Sequence, residues 1–366
     1  MFNKIMKSLI HYSMKISVCI ITLNEEKVIK RVLTCVKKFA DEIILVDTGS
    51  RDNTVEIAKL FTDKIYRFLW VDDFSKARNY AFSKASCDYL FWIDADDVIT
   101  DENINKIIDL KQSANYCDTY MFKYLCGFDE NNCPSLTFYR ERLIKNCELA
   151  KFEGFVHEVV KPFGKIQYVD IEIEHRKEEF KNSKRNLNLY KKRLPISNFS
   201  TRDLYYYAKE YFYLGYYKTA IKLLNRYLKA ENKYFCDEKD TYLTLYECYK
   251  SLKLKSDVKI LFKALESVGV DGEVLCKIGD YYLQIKDYKN AENYYVFALN
   301  VQKCDVNGFC KNEYYYLYPL LQLTFLTYQR GDVKRSLHYH GLCCKDYFFD
   351  KRVQYNQTFF NNLLKD

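Results

Sequence analysis

The sequence predicts an α/β domain with a mostly parallel sheet, followed by an all-α domain of helical repeats. The chain has 366 residues, which suits two domains of roughly 100 to 200 residues each. Strand and helix patterns alternate from Ile16 to Asp94, as in a doubly wound sheet, and helical patterns dominate from Asp203 onward. The chain also holds 35 Tyr and 25 Phe beside 11 Gly and 4 Pro, a balance that favours long helices with aromatic contacts.

Composition excludes several classes of protein. Hydrophobic residues make up 48% of the chain, but no run approaches the roughly 18 apolar residues of a membrane span. The net charge of +8 is spread along the chain, which does not suit a nucleic-acid-binding protein. The first residues lack the apolar core of a signal peptide, so we expect a cytoplasmic protein in which residues 1–14 form a flexible leader. The 14 cysteines include no C-x-x-C pair and are expected to be reduced.

The predicted α/β domain covers residues 15–176. Its first strand is the β-branched apolar run Ile16–Thr22, and apolar residues with helical spacing follow over 25–39. Asn53 lies three residues before Glu56, which predicts a capping box at the start of the second helix. The other predicted elements are strands at 42–47, 64–69, 88–94, 119–127, 136–144 and 167–173, and helices at 53–60, 75–85 and 101–110.

The rest of the chain is predicted to be helical. Residues 177–200 are polar and basic and are predicted to form a connecting helix, and residues 201–366 carry a repeated pattern. Four residues mark equivalent places in the repeats and lie 37, 34 and 45 residues apart: Ala220, Asp257, Ala291 and Ser336. A period near 34, with small residues where paired helices cross, resembles degenerate tetratricopeptide repeats with an insertion around residues 304–310.

Polar residues follow three of the predicted strands, at the place where ligands of a doubly wound sheet collect. They are the segments Thr22–Glu25, Asp47–Ser50 and Asp94–Asp97. The chain has neither G-x-G-x-x-G nor G-x-x-x-x-G-K-[ST], so the phosphates of a bound nucleotide would need a metal ion rather than a glycine-rich loop. Asp94 and Asp96 suit Mg²⁺ or Mn²⁺, because hard cations prefer oxygen ligands.

Four segments of the α/β domain form a set. They are ISVCIITLNEE at 16–26, EIILVDTGSRDNT at 42–54, DFSKARN at 73–79 and IDADD at 93–97. In this order they closely resemble family-2 glycosyltransferases of the GT-A fold, and a looser resemblance extends to about residue 176. The F-S-x-A-R-N block with a helical-repeat tail is most similar to the branch of peptide glycosyltransferases that modify bacteriocin cysteines.

The resemblance implies a set of residues that bind a nucleotide-sugar donor. These are Thr22, Asn24, Glu25, Asp47, Ser75, Arg78, Asn79 and Asp94. The first three would border the nucleobase and the ribose, and Asp47 would accept a hydrogen bond from the base. Arg78 would meet the diphosphate, helped by its two neighbours in the set. Asp94 would hold the ribose or a metal-bound water, Asp96 would ligate the metal, and His175 would contact the metal or the diphosphate.

Sugar transfer through an oxocarbenium-like state calls for a metal, a positive clamp on the diphosphate and a base that takes a proton from the acceptor. The segment KFEGFVHE at 151–158 matches the F-x-G-x-x-H-E segment of similar enzymes. The resemblance therefore implies Glu158 as the base, with His157 as the second candidate and Glu153 as a weaker one.

Together these expectations describe an inverting transferase with Mg²⁺ or Mn²⁺ as its cofactor. It would move a sugar from UDP-glucose or UDP-GlcNAc to a Ser, Thr or Cys side chain of a peptide or protein that the repeats present. An alternative acceptor is a cell-envelope saccharide, such as a lipopolysaccharide core or a capsule precursor. A third hypothesis is a repeat scaffold whose transferase domain is inactive. A homodimer is compatible with the tandem repeats.

Overall fold

The structure is a computed structural model that describes residues 13–113, 116–129, 132–176, 184–193, 199–254, 258–303 and 308–363. The chain folds as two compact units. The first comprises Met1–Cys126 with Tyr139–Lys181, and the second comprises Gly127–Phe138 with Asn182–Asp366. The predicted fold class, an α/β domain followed by an all-α domain, is confirmed. Most of the predicted leader and residues 177–183 and 194–198 of the predicted connecting helix lie outside the described residues.

The first unit is built on a mostly parallel sheet. The strands are β1 Ile16–Thr22, β2 Glu42–Asp47, β3 Ile65–Arg67, β4 Tyr89–Asp94, β5 Asp97–Val98, β6 Thr119–Phe128, β7 Pro134–Lys145, β8 Phe152–Glu153, β9 Val159–Val160 and β10 Ile166–His175. The helices are α1 Ile29–Val36, α2 Thr54–Ala58, α3 Phe74–Phe82 and α4 Asp101–Gln112. The strand order is β3-β2-β1-β4-β7-β6-β10-β5, and β8 and β9 form a separate ribbon.

Three buried strands end together at one edge of this sheet. β1 pairs in parallel with both β2 and β4, and their apolar residues are almost all buried, as expected for strands covered on both faces. The register places Thr22 opposite Asp47, and Ile21 opposite Asp94. The polar residues that follow the three strands therefore lie side by side, as the sequence predicts.

Two helix starts differ from the prediction. The capping box at Asn53 is wrong, because the Asn53 side chain makes no cap and bonds to the preceding loop instead. The backbone N–H of Thr54 instead donates to Asp52 Oδ1 (3.1 Å), so Asp52 holds the first residue of α2. α1 begins at Ile29 rather than at Glu25, because hydrogen bonds to the next loop hold the intervening residues.

The second unit is a stack of helix pairs. Its elements are α5 Arg185–Arg193, α6 Thr201–Tyr213, α7 Tyr217–Leu228, α8 Phe235–Ser251, α9 Lys259–Val268, α10 Gly272–Gln284, α11 Tyr288–Leu299, β11 Cys310–Lys311, a short 3-10 helix Asn312–Tyr315, α12 Leu317–Gln329, α13 Val333–Tyr347 and α14 Lys351–Leu363. In the part of the chain that the structure describes, no helix is long and apolar enough to cross a membrane.

The second helix of each pair buries residues at the same spacing, which confirms the tetratricopeptide-like repeat. The buried positions are Ala220, Leu224 and Tyr227 in α7, Leu261 and Ala264 in α9, Ala291, Tyr295 and Ala298 in α11, and Ser336, His340 and Cys343 in α13. Asp257, the predicted mark of the second repeat, lies outside the described residues. Paired helices cross closely, since a Cβ added to Gly279 would lie 2.7 Å from the Tyr295 ring.

The insertion before α12 pairs with the tip of a hairpin. Of the predicted insertion at 304–310, residues 308–310 are described, and β11 pairs antiparallel with β7 through Cys310 opposite Thr137. The rings of Phe138 and Phe309 lie 4.9 Å apart. The tip formed by β6 and β7 is therefore part of the helical unit.

Candidate active site

The loops after β1 and β2 are hydrogen-bonded to each other. The N–H of Asn24, which has a left-handed φ of 56°, donates to Ser50 Oγ (2.9 Å), and the N–H of Arg51 donates to Asn24 Oδ1 (2.8 Å). The N–H of Glu25 donates to Thr54 Oγ1 (2.7 Å). Asparagine tolerates the left-handed region better than most residues do. Asn24 therefore braces two loops, and the nucleobase contacts of Asn24 and Glu25 stay predictions.

Thr22 and Asp47 lie opposite each other at the ends of β1 and β2. Asp47 accepts hydrogen bonds from the N–H groups of Gly49 (3.1 Å) and Ser50 (3.1 Å), which fix its carboxylate. Thr22 Oγ1 is buried and has no hydrogen-bond partner among the described residues. Because an unsatisfied buried hydroxyl is costly, this position fits a site where a ligand supplies the missing partner.

Ser75 and Asn79 form hydrogen bonds within the protein. Ser75 Oγ donates to Asp73 Oδ1 (2.7 Å), and Asp73 caps α3. Asn79 Nδ2 donates to Phe152 O (2.9 Å), and Asn79 Oδ1 accepts from Phe152 N (2.8 Å). These contacts stabilise α3 and attach it to β8. The predicted role of both residues at a diphosphate stays a prediction.

Arg78 lies between two carboxylates. Its Nε donates to Glu158 Oε1 (2.6 Å) and its Nη2 donates to Asp94 Oδ1 (2.5 Å), while the guanidinium lies 4.7 Å from the centre of the Trp92 ring. Burial alone would raise the pKa of Asp94, but the charges of Arg78 and Arg142 outweigh burial and hold that pKa well below its ordinary value. Asp94 and Arg78 therefore form a charged pair near neutral pH.

Asp97 orients the ring of His175. Asp97 Oδ1 accepts from the Tyr124 hydroxyl (2.7 Å) and lies 3.2 Å from His175 Nδ1, and Asp97 Oδ2 pairs with Arg142 (3.2 Å). Both carboxylate oxygens are thus engaged. A carboxylate that holds one ring nitrogen of a histidine commonly prepares the other nitrogen to bind a metal.

Asp96 and His175 fit a divalent cation. With Asp97 they form a group whose possible ligand atoms all lie within 4.8 Å of one another among the described residues. The side chain of Asp96 is 20% exposed and that of His175 is 29% exposed, and Asp96 Oδ1 lies 3.5 Å from His175 Nδ1. Burial raises the pKa of Asp96. Burial alone would lower the pKa of His175, but the hydrogen bond to Asp97 and the charge of Asp96 outweigh it, so the pKa of His175 is raised. Two carboxylates beside one histidine suit a hard divalent cation, which would take its remaining oxygen ligands from water or a bound diphosphate.

Glu158 and His157 lie on the loop between β8 and β9, residues 154–158. His157 has a left-handed φ of 54°, and the Glu158 side chain is 11% exposed and bound to the guanidinium described above. Glu153 instead pairs with Lys161 at the surface, where the Glu153 side chain is 57% exposed. Arg78 joins Glu158, one of the three candidate bases, to Asp94 at the end of β4.

Sequence reasoning missed two arginines on β7. Arg142 is buried, with its guanidinium 3.8 Å from the Trp92 ring centre and 4.4 Å from that of Tyr124. Arg140 Nη2 donates to the backbone oxygen of Glu158 (3.2 Å). A signal was present, because Arg140 and Arg142 are two apart in a strand and so share one face. A pair of cations on one face of an internal strand indicates buried anions nearby.

Comparison with known proteins finds similarity to a glycosyltransferase family and to a protein that contains TPR repeats. Residues 17–164 match the family model described as Glycosyl transferase family 2. The chain is 30% identical over 239 residues to the SPbeta prophage-derived glycosyltransferase SunS of Bacillus subtilis, over 60% of this chain and 55% of SunS. It is 32% identical over 147 residues to a TPR repeat-containing protein of Synechococcus elongatus, over 40% of this chain and 35% of that protein. The matches thus span about half or less of these curated relatives.

Among solved structures, S. aureus TarS 1-349 in complex with UDP-GlcNAc is similar to this chain with a TM-score of 0.38 and 15% identity. The similarity covers 78% of this chain and 91% of that one.

Proposed function

We propose that this chain, which contains a glycosyltransferase family 2 domain followed by tetratricopeptide-like helices, is an inverting transferase. It moves a sugar from a UDP-sugar, such as UDP-glucose or UDP-GlcNAc, to a Ser, Thr or Cys side chain of a peptide or protein. The observation that carries the proposal is the cluster at the carboxyl edge of the sheet. There Arg78 joins Glu158 to Asp94, two residues before Asp96.

The donor would bind along the ends of β1, β2 and β4. Asp47 is held by two backbone N–H groups at the base of its loop, and the unpaired hydroxyl of Thr22 lies across from it. Asp96 and His175 would hold Mg²⁺ or Mn²⁺, which neutralises the charge of the departing diphosphate. The pKa of Asp94 lies well below its ordinary value, so Asp94 stays an acceptor for a ribose hydroxyl or a bound water near neutral pH.

Glu158 would take the proton from the acceptor. Its carboxylate is kept in place by Arg78 Nε, which donates to Oε1 (2.6 Å), so Oε2 would be the atom that takes the proton. Single displacement at the anomeric carbon would then invert its configuration. A base in a fixed position typically contributes about 10² to 10⁴ in rate.

The acceptor class rests on the second unit. Helical repeats form extended surfaces for polypeptides, and a resemblance to peptide glycosyltransferases points the same way. The test is intact-mass analysis of a peptide pool incubated with the full chain and UDP-glucose, UDP-GlcNAc or UDP-galactose, with D96N as the inactive control. We expect a peptide to gain one hexose or one HexNAc with the native chain and none with D96N. Sugar transfer to a cell-envelope saccharide and to no peptide would overturn the acceptor class.

A further inference from the structure

Arg31 connects the two segments that carry the candidate metal ligands. It lies on α1, and its Nη2 donates to the backbone oxygen of Asp96 (3.1 Å) and to the backbone oxygen of Arg176 (3.1 Å). The N–H of Arg176 also donates to Asp96 O (3.1 Å). Asp96 is itself a candidate ligand, and His175 directly precedes Arg176. One nitrogen of Arg31 thus holds the backbone beside both ligands.

Arg31 also lies on the helix that follows the loop after β1, residues 23–28. α1 follows the loop that carries Asn24 and Glu25, and both N–H groups of that loop are held by side chains of the next loop. Arg31 Nε is buried and has no hydrogen-bond partner among the described residues. A buried N–H without a partner destabilises the fold. The two hydrogen bonds to backbone carbonyls therefore hold the Arg31 side chain in an orientation that leaves its Nε unsatisfied.

We propose that Arg31 is a positioning residue that sets the spacing of Asp96 and His175 for a divalent cation. The inference rests on the proposed function, because it assumes that these two residues bind the metal. Arg31 acts through backbone carbonyls, since both of its hydrogen bonds go to backbone oxygens among the described residues. A planar guanidinium suits this task because its donors have a fixed geometry, whereas a lysine ammonium is a point charge on a flexible chain.

The test measures metal binding apart from turnover. Mn²⁺ affinity is determined by electron paramagnetic resonance for the native chain, R31M, R31K and D96N, with N146A as the matched control. Asn146 Nδ2 donates to Cys87 O (2.9 Å), so N146A also removes a contact from a side chain to a backbone oxygen in the same unit. Melting temperature and UDP affinity in EDTA are recorded for every variant.

We expect R31M to bind Mn²⁺ about 10- to 100-fold more weakly, which is the usual effect of losing a partner outside the ligand set. R31K should fall between R31M and the native chain, since an ammonium can donate to a carbonyl but sits on a more flexible side chain. UDP affinity in EDTA should stay unchanged in both variants, and Mn²⁺ affinity should stay unchanged in N146A.

Two results would separate the possible failures. If D96N binds Mn²⁺ as tightly as the native chain, the metal site of the proposed function is wrong. If D96N loses Mn²⁺ but R31M and R31K bind it with native affinity, the metal site stands and the role of Arg31 is wrong. Should R31M fail to fold, R31K is compared with N146A instead. Weaker Mn²⁺ binding by R31K alone supports the role of Arg31, and equal binding by both variants overturns it.

Discussion

At the scale of single residues, the contacts of Arg78 decide how the site can be tested. Its guanidinium is bound to Glu158 and to Asp94 and lies against Trp92. Removing one carboxylate from such a buried group leaves the arginine with uncompensated charge, which destabilises a protein more than the pair stabilised it. Isosteric substitutions that keep a hydrogen-bond acceptor are therefore the informative ones.

Glu158→Gln should keep donor affinity and lose turnover. The amide oxygen can still accept from Arg78 Nε, but the side chain cannot take a proton, so turnover should fall by at least about 100-fold. Initial rates and UDP titration measure the two effects. Weaker UDP binding with native turnover at saturation would make Glu158 a donor-site residue and leave His157 as the base. A loss that shrinks as pH rises would indicate a cysteine acceptor, whose thiol with a pKa of about 8.5 ionises on its own.

Asp96→Asn should abolish transfer and leave the melting temperature close to that of the native chain. The substitution removes one negative ligand and preserves the side-chain volume, and EDTA should have the same effect on the native protein. Glu56→Gln is the matched control, because it also removes one carboxylate charge, from a side chain at the surface beside Lys59. Near-native turnover of Asp96→Asn, or indifference to EDTA, would contradict the metal assignment.

The sequence predicts the carboxylates of the site better than it predicts their partners. Asp47, Asp94 and Asp96 directly follow or end apolar strands, and that position alone brings them to one edge. Arg31 and Arg142 act on residues that lie far from them in the sequence and meet them only in the folded chain. The spacing of Arg140 and Arg142 indicates buried anions without saying which ones, and no local pattern encodes the contacts of Arg31.

At the scale of elements, strands buried on both faces were predictable because their apolar runs are continuous. The two-residue strands β8 and β9 were not, since a strand that short leaves no periodicity in the sequence. In α8 the sequence pattern predicts a packed helix but does not predict that a carboxylate is buried in it. Asp237 is buried there, and its Oδ2 has no hydrogen-bond partner among the described residues.

Asp237→Asn should change how stability depends on pH. Burial raises the pKa of Asp237 to about 7, so the folded protein keeps this proton up to that pH while the unfolded chain loses it at about 4. The contribution of Asp237 to the free energy of unfolding therefore falls as pH rises from about 4 to 7 and levels off above. Asparagine is neutral throughout, so the melting temperature of the variant relative to the native chain should rise across that window.

Circular dichroism melts from pH 5 to pH 8 measure this difference. The same substitution at the exposed Asp346 is the control and should show no such change with pH. A melting-temperature difference for Asp237→Asn that stays constant over the window would mean that Asp237 is ionised in the folded protein.

At the scale of the whole molecule, the hairpin tip of residues 127–138 determines how the first unit can be isolated. A chain cut near residue 200 keeps this tip but loses its partners, among them β11 and Phe309. We expect that fragment to aggregate. A fragment in which a short Gly-Ser linker joins Cys126 to Tyr139 should stay monomeric, because it lacks the residues that pair with β11 and contact Phe309.

The shortened fragment should hydrolyse UDP-sugar slowly and fail to glycosylate a peptide. Light scattering and mass spectrometry of the acceptor check the two parts of this prediction. Transfer to a peptide at the native rate would show that the repeats do not present the acceptor.

Trp92 has a consequence for how this protein can be observed. The chain contains only two tryptophans, and Trp92 is buried with the guanidinium groups of Arg78, Arg140 and Arg142 each within 4.7 Å of its ring centre. The other, Trp70, lies on the loop that leads into α3. Replacing Trp70 with Phe would leave a single emitter inside the cluster of charges. Its fluorescence would report each rearrangement of those arginines, so that ligand binding could be followed in real time without a label.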